Sequence, residues 1–441
     1  MSQEGFDLVI GLGATGRSVI RYLTDQGMPV RALDSRQHPA DLDSLKADYP
    51  KLRVHCGSLR KKWLDNAKRL IVSPGVAVSI PSIAEQMAAG KDVVGDIELF
   101  VRAISQPLVA ITGSNAKTTV TTLMGEVAQA CGMSPGVGGN IGVPALSLLD
   151  NEHDAYILEL SSFQLETTYS LSADVACLLN VSQDHLDRYS SFADYLMAKQ
   201  RIYDNCQVAV WNRDDLATKP DKDVPREITF GSHLQADFRL DKDTNELWHH
   251  GQLLLSGESM ALTGHHNMLN VLAVLAMVEA LQWDLATAVE VCKRFTGLPH
   301  RCQQIADSGG VRWINDSKAT NVGATQAALE GIGGSIAGKI VLIAGGQGKG
   351  QNFSSLARPA SQYVRQAVLF GADRADMAEA LADVAVTLVD TMAEAVRVAK
   401  DAAQEGDAVL LSPACASFDQ YSGFAARGDD FATQMREVLH G

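Results

Sequence analysis

Residues 112–123 read TGSNAKTTVTTL and follow the apolar run PLVAI. A lysine and a threonine opening a helix, after a strand and a tight turn, can hold nucleotide phosphates. Backbone N–H groups at the helix start attract the anion, and the lysine reaches the outer phosphate oxygens. The strict pattern G-x-x-x-x-G-K-[ST] is not met, because Gly113 stands four residues before Lys117 and Ala116 sits where the second glycine belongs. The segment therefore has two readings: a phosphate loop, or an ordinary strand-turn-helix with one lysine in its first turn.

Two more glycine turns follow strands. Gly11-Leu12-Gly13-Ala14-Thr15-Gly16 opens a helix after FDLVI, and the next strand, VRAL, delivers Asp34 about twenty residues on, which is the context of a dinucleotide fingerprint. The same turn can hold any diphosphate, and the Thr15 hydroxyl with Ser35 and Arg36 suits another nucleotide equally well. Ala344–Gly350, AGGQGKG, follows KIVLI and carries Lys349, which is either close to an anionic ligand or solvated on a tight turn.

Glu159 ends the buried run AYILEL, at the strand end where clefts of parallel sheets lie. A lone carboxylate there calls for a partner, either Mg²⁺ on a nucleotide or an internal cation. Asp184-His185-Leu186-Asp187 follows another strand, and Lys199 stands fourteen residues past the histidine on an expected helix. Taken bare, His185 could equally be a loop histidine and Lys199 a surface residue with a buried stem.

These residues need strands to end on and helices to begin. Short apolar runs (FDLVI, RLIV, LVAI, AYILEL, ACLLNV, QVAVW, KIVLIAG, QAVLFG, AVLLSP) alternate with longer helical patterns, which predicts parallel sheets with crossover helices. With 441 residues the chain is long enough for about three α/β domains at ~150 residues each. The breaks predict residues 1–97 as a Rossmann-like block, 98–298 as a central phosphate-loop block and 299–441 as a second Rossmann-like block. Within the central block, Arg226–Leu262 is polar and rich in turns, so a small β excursion is expected there.

The net charge of −14 and the lack of a dense Lys/Arg run argue against nucleic acid or an anionic membrane as partner. Seven scattered cysteines without a C-x-x-C pair read as reduced thiols. No apolar run reaches the length of a membrane span and the first residues lack signal-peptide character, so a cytoplasmic chain, monomeric by expectation, is predicted.

With TGSNAKTT, LELSSFQLE, NVSQDHLDRY, LTGHHNMLN, GLPHRCQ, NDSKATN and SPACASFDQ in this order, the chain resembles the ATP-dependent Mur ligases of peptidoglycan precursor synthesis over almost its whole length. Within the family, the amino-terminal GLGATG block, NDSKATN and SPACASFDQYSGFAARGDDF look most like the members that add D-glutamate. One departure is Ala116, where the family's loop normally has glycine, so altered loop geometry or ATP affinity is expected.

The resemblance implies that ATP phosphorylates a substrate carboxylate and that an amino-acid amine then displaces phosphate. It implies ATP contacts from Gly113, Ser114, Asn115, Ala116, Lys117, Thr118, Thr119, Asn267, Asn270, Arg301, Asp316 and Lys318. Thr118, Glu159, His185 and a carbamylated Lys199 would hold Mg²⁺. Ala14, Thr15, Asp34, Ser35, Arg36, Ser73, Gly75, Gly139, Asn140, Ser161 and His185 would bind the UDP-linked substrate, and Lys318, Thr320, Lys349, Ser417 and Phe424 the D-glutamate. Catalysis would rest on Lys117, Glu159, His185 and Lys199. On this reading the GLGATG turn holds UDP. A sister Mur or folylpolyglutamate-type ligase using another amino acid, a dinucleotide-dependent oxidoreductase, and a non-catalytic nucleotide-binding protein are the competing readings.

Overall fold

The computed structural model describes residues 5–184, 188–262 and 264–440. Its contacts divide the chain into two compact units. One comprises residues 1–181, 193–239 and 273–291, and the other residues 182–192, 240–272 and 292–441.

The first unit holds two sheets. In the first, β1 (Asp7–Ile10), β2 (Val30–Asp34), β3 (Arg53–Cys56), β4 (Arg69–Val72) and β5 (Asp92–Val94) are parallel in the order β3-β2-β1-β4-β5. The chain reverses direction across the sheet at β1, so the turn after β1 opens at a topological switch point, where ligands of such sheets bind. The second sheet contains β6 (Leu108–Thr112), β7 (Pro135–Gly139), β8 (Ala155–Glu159), β9 (Val175–Leu178), β10 (Val208–Asn212) and β11 (Arg226–Gly231) in the parallel order β11-β10-β9-β6-β8-β7. β12 (Phe238–Asp241) pairs parallel to β11. Here β6 lies between β8 and β9, which makes the end of β6 the second switch point.

Strands covered on both faces read as continuous apolar runs. LVAIT of β6 and AYILE of β8 are buried throughout. A common core in which Val9, Ile20 and Ile71 join Leu108, Leu158 and Trp211 holds both sheets in one unit. Glu98 adds a polar tie, accepting the N–H groups of Tyr169 and Ser170 at 2.7 and 2.9 Å.

In the second unit, β13 (Glu246–His249) and β14 (Gln252–Ser256) form an antiparallel hairpin, so the expected β excursion is present in Arg226–Ser256. Its sheet contains β15 (Gln303–Ser308), β16 (Val311–Asn315), β17 (Ile340–Gly345), β18 (Val364–Phe370), β19 (Ala385–Leu388) and β20 (Ala408–Leu411) in the order β15-β16-β20-β17-β18-β19. Only the β15–β16 pair is antiparallel. Because β16, β20 and β17 are neighbours, the loops that follow them, NDSKATN, SPACASFDQ and AGGQGKG, leave one edge side by side. No helix among the described residues is long and apolar enough to cross a membrane, and all seven cysteines are free.

Candidate active site

The loop after β6 is clamped from three sides. Ser114 N–H donates to the Asn180 carbonyl at 2.9 Å, Asn115 N–H to Asn180 Oδ1 at 2.8 Å, and the Ser114 hydroxyl meets the Tyr195 hydroxyl at 3.0 Å. Ala116 caps the helix Lys117–Ala130 in the left-handed region, φ 64° and ψ −3°. Glycine takes that conformation without a steric cost, whereas alanine is strained there. Ala116 is therefore a strained residue at the start of this helix.

Two lysines converge on this loop. Lys117 Nζ donates to the carbonyls of Gly113 at 2.8 Å and Ser114 at 3.0 Å. Lys199, on the helix Phe192–Gln200 and 2% exposed, donates to the same Gly113 carbonyl at 2.8 Å, with its Nζ 4.7 Å from the Tyr195 ring centre. Thr118 and Thr119 occupy the first turn of the Lys117 helix.

Glu159 ends β8 in register with Ile111 on one side and Gly139 on the other. It is 2% exposed; Asn140 Nδ2 donates to its Oε1 at 2.8 Å, and its buried Oε2 has no hydrogen-bond partner among the described residues. A Cβ on Gly139 would lie 2.4 Å from the Glu159 carbonyl, and Gly139 has φ 100°, so this strand end tolerates only glycine. A buried anionic oxygen with an open lone pair is a fit for a hard divalent cation such as Mg²⁺, which takes few protein carboxylates and completes its shell with phosphate and water. Ser161 caps the next short helix through a capping box with Gln164.

At the other switch point, Leu12 N–H donates to Asp34 Oδ2 at 2.9 Å, and Arg36 grips the same carboxylate through Nε at 2.9 Å and Nη2 at 2.7 Å. Burial of Asp34 opposes ionisation, but the Arg36 and backbone donors outweigh it and hold the carboxyl below its usual range. Asp34 thus shapes the turn and fixes Arg36. A Cβ at Gly16 would come 1.8 Å from the Gly11 carbonyl, to which Ser73 Oγ also donates at 3.0 Å. Ala14 and Thr15 open the helix above this turn, Ser35 stands between Asp34 and Arg36, and Gly75 is exposed beyond Ser73.

In the second unit, Asp316 is buried at the end of β16 and accepts Cys302 N–H at 3.1 Å and Ser412 Oγ at 2.9 Å. Burial pushes its pKa up to about 6. Lys318 Nζ lies 4.3 Å from the Phe424 ring centre, a cation–π contact. Lys349 is exposed with φ 54° in the glycine loop, Ser417 is 2% exposed, and Gln347 pairs with Ala416 so that these two loops run together. Thr320 is half-buried just before the Asn321 cap of the helix Val322–Gly333. Asn270 Nδ2 donates to Asn267 Oδ1 at 3.3 Å, both side chains being buried, and Arg301 is half-buried between His300 and Cys302.

Most of the expected residues thus gather in three clusters, the β1 turn with Asp34–Arg36 and Ser73, the β6 loop with Glu159 and Lys199, and the β16, β17 and β20 loops, while Asn267 and Asn270 stand on the helix His265–Ala280. His185 lies outside the described residues, while Asp184 beside it accepts Asn321 Nδ2 at 3.1 Å.

Sequence reasoning missed Asn180 and Tyr195, which grip the loop after β6, and Arg427. Arg427 is fully buried and donates through Nε to Ser317 Oγ at 3.0 Å and through Nη2 to the carbonyls of Ser317 at 2.8 Å and Cys415 at 3.1 Å. One guanidinium therefore ties the loop after β16 to the loop after β20. Its sequence signal was faint, a single arginine in AARGDDF on an amphipathic helix.

Three family descriptions match the chain in order: "Mur ligase MurD-like, N-terminal domain" over residues 6–95, "Mur ligase middle domain" over 111–278, and "Mur ligase, glutamate ligase domain" over 300–415. A UDP-N-acetylmuramoylalanine–D-glutamate ligase of Alcanivorax borkumensis is 67% identical over 440 residues, covering 100% of both chains. The protein of the same name from Pseudomonas aeruginosa is 45% identical over 99% of each. Among solved structures, MurF ligase from Thermotoga maritima in complex with ADP superposes with a TM-score of 0.63 at 17% identity, covering 100% of this chain and 96% of that one. The UDP-N-acetylmuramate–alanine ligase of the same organism gives 0.60 at 18%, covering 99% and 100%. At such identities the two structures speak for the fold alone.

Proposed function

The chain belongs to the Mur ligase family, and on that premise we propose that it adds D-glutamate to UDP-N-acetylmuramoyl-L-alanine, forming an amide as ATP becomes ADP and phosphate. The 67% identity along the full length to a ligase of that name is the observation that carries the choice of substrates. Two features support the reading: two lysines that donate to the loop after β6 and a half-satisfied Glu159 at the end of the adjacent β8.

In the proposed mechanism the substrate's terminal carboxylate oxygen attacks the γ-phosphorus of ATP, the bond to the β-phosphate oxygen breaks, and an acyl phosphate forms. The amine of D-glutamate then attacks the acyl carbon, a proton leaves the nitrogen, and phosphate departs. Lys117 leaves its carbonyl partners to meet the β and γ oxygens, while the N–H groups at the start of its helix neutralise further charge. Thr118, Glu159, His185 and Lys199 as a carbamate would hold Mg²⁺, which when bound screens the repulsion between phosphate and the attacking carboxylate. In this reading Gly113–Ala116 and Thr119 contact the nucleotide, and Asn267, Asn270, Arg301, Asp316 and Lys318 are its further contacts. Lys318, Thr320, Lys349, Ser417 and Phe424 take the amino acid.

The β1 turn holds the uridine end through Ala14, Thr15, Asp34–Arg36, Ser73 and Gly75, and Gly139, Asn140, Ser161 and His185 hold the sugar-peptide portion. In this assignment residues 1–97 serve the UDP substrate, 98–298 ATP, and 299–441 the amino acid and nucleotide. The chain works as a monomer in the cytoplasm, where ATP and UDP-linked substrates are found. The test is ADP release with both substrates, in wild type and Lys117→Ala. Loss of the γ-phosphate clamp lowers kcat by at least about 10²-fold. Undiminished turnover in the variant overturns the phosphate-loop assignment.

A further inference from the structure

The amino-terminal sheet carries a second cationic cluster, at the end opposite its nucleotide turn. Arg31 and Arg53 are register partners on the parallel strands β2 and β3, so two guanidiniums leave the sheet on one face as neighbours. Like charges placed directly opposite destabilise a sheet unless something compensates them. The Arg31 guanidinium carbon lies 3.8 Å from the Phe6 ring centre and 5.2 Å from that of Trp63, and Arg60 lies 5.5 Å from Trp63. Aromatic rings thus flank the guanidiniums of Arg31 and Arg60. None of the three arginines has a side-chain hydrogen bond or an ion pair among the described residues, although nearly every other buried or half-buried arginine of this sheet has a carboxylate or carbonyl partner, as Arg69 has in Asp7 at 2.6 Å.

Two adjoining depressions of about 570 and 610 Å³ lie against the cluster and share Tyr49, Leu52 and Arg53. Lys46 and Arg60 border the first, Arg31 and Asp48 the second. Asp48 is the one carboxylate at the rim, and it pairs with none of the arginines. Burial, then the charges of Arg53 and Arg60, lower the Arg31 pKa, so the group lacks an anion that would restore it. The surroundings sharpen the contrast: residues 1–97 contain 13 Lys+Arg against 11 Asp+Glu, in a chain whose net charge is −14.

We propose that Arg31, Arg53 and Arg60, with Lys46 at the rim, form a binding site for a small multivalent oxyanion, a polyphosphate or a polycarboxylate, separate from the substrate sites. Guanidinium forks suit bidentate capture of phosphate or carboxylate, and the ring contacts of Arg31 and Arg60 reduce the rotamer freedom those two have to lose on binding. The site is distinct from the β1 turn: Arg31 is the second residue of β2 and Asp34 its last, and the three steps between them span roughly 10 Å at about 3.3 Å per residue.

The experiment titrates sodium tripolyphosphate and, separately, citrate into the full chain at constant ionic strength, by calorimetry and by shift of the thermal midpoint. The same titrations are run on Lys117→Ala, which removes the phosphate-loop clamp. The expected result is a saturable site retained in Lys117→Ala and weakened at least tenfold when Arg53→Gln/Arg60→Gln is added to it, while Arg53→Gln/Arg60→Gln alone leaves ligase turnover unchanged. The tighter of the two anions identifies the class. Arg31→Lys keeps the charge but not the fork and also weakens binding, and the exposed Arg53 and Arg60 variants keep the test valid if Arg31 variants fold poorly. Binding that vanishes in Lys117→Ala and persists in the arginine variants, or no saturable binding in wild type, overturns the proposal.

Discussion

Lys117 Nζ and Lys199 Nζ both donate to the carbonyl of Gly113, each at 2.8 Å, so the two nitrogens lie within about 5.6 Å of each other. Two ammonium groups that close, one of them 2% exposed, repel each other. The Lys199 ammonium gives up a proton, and attack of the resulting amine on CO₂ forms an N–C bond, opens one C–O π bond and releases a second proton, which replaces the second cation with an anion able to face a metal. Lys199 is thus expected to carry CO₂, seen as added mass under bicarbonate. Lys199→Ala should lose activity that short carboxylates partly restore. A fully active Lys199→Ala protein contradicts the carbamate.

Ala116 holds φ 64° where glycine would sit without strain. The left-handed conformation costs a non-glycine residue roughly 1–2 kcal/mol, and glycine's greater freedom in the unfolded chain offsets about 0.4–1 kcal/mol of the relief. Ala116→Gly should therefore keep turnover, shift mainly the KM for ATP, and raise the unfolding free energy by about 1 kcal/mol or less. Denaturant unfolding checks this, and a less stable or inactive variant argues against strain at the loop.

Much of this architecture was legible because buried parallel strands write themselves as apolar runs. LVAI and AYILEL became β6 and β8, and the residues just past them, Gly113–Lys117 and Glu159, stand at the switch point. What the sequence hid is what depends on distant packing. Nothing near Asn180 says that its side chain and carbonyl hold Ser114 and Asn115, and nothing in AARGDDF announces a fully buried arginine. The division into two compact units was equally hidden, because it follows from a core shared between Val9, Ile71 and Leu108, not from any break in composition.

Arg427 should act as a positioning residue for the loops that carry Lys318 and Ser417. Arg427→Met leaves the carbonyls of Ser317 and Cys415 without their donor, at a cost of roughly 1–3 kcal/mol per buried group. The expected signature is a raised KM for the amino acid with a smaller change for ATP, partly rescued in Arg427→Lys. Equal effects on both substrates with no rescue would mark a purely structural role.

Asp316 is raised from the usual 3.8 to about 6 by burial, and Asp96 likewise. A carboxyl whose folded pKa exceeds its unfolded value favours the fold while protonated; its contribution is complete below about pH 4 and is lost as pH rises through about 6. Infrared spectra should show protonated-carboxyl absorption that disappears around pH 6 and is smaller in Asp316→Asn. Absence of such absorption at pH 5 contradicts the burial argument.

The central claim is the choice of amino acid. Phosphate release with UDP-N-acetylmuramoyl-L-alanine as acceptor should be measured with D-glutamate, L-glutamate, L-alanine and meso-diaminopimelate, in wild type and in Lys349→Ala and Ser417→Ala. The account predicts that D-glutamate alone drives rapid release, and that each variant loses roughly 1.5–3 kcal/mol in kcat/KM for it with little change for ATP. Preference of the wild type for any other amino acid would contradict it.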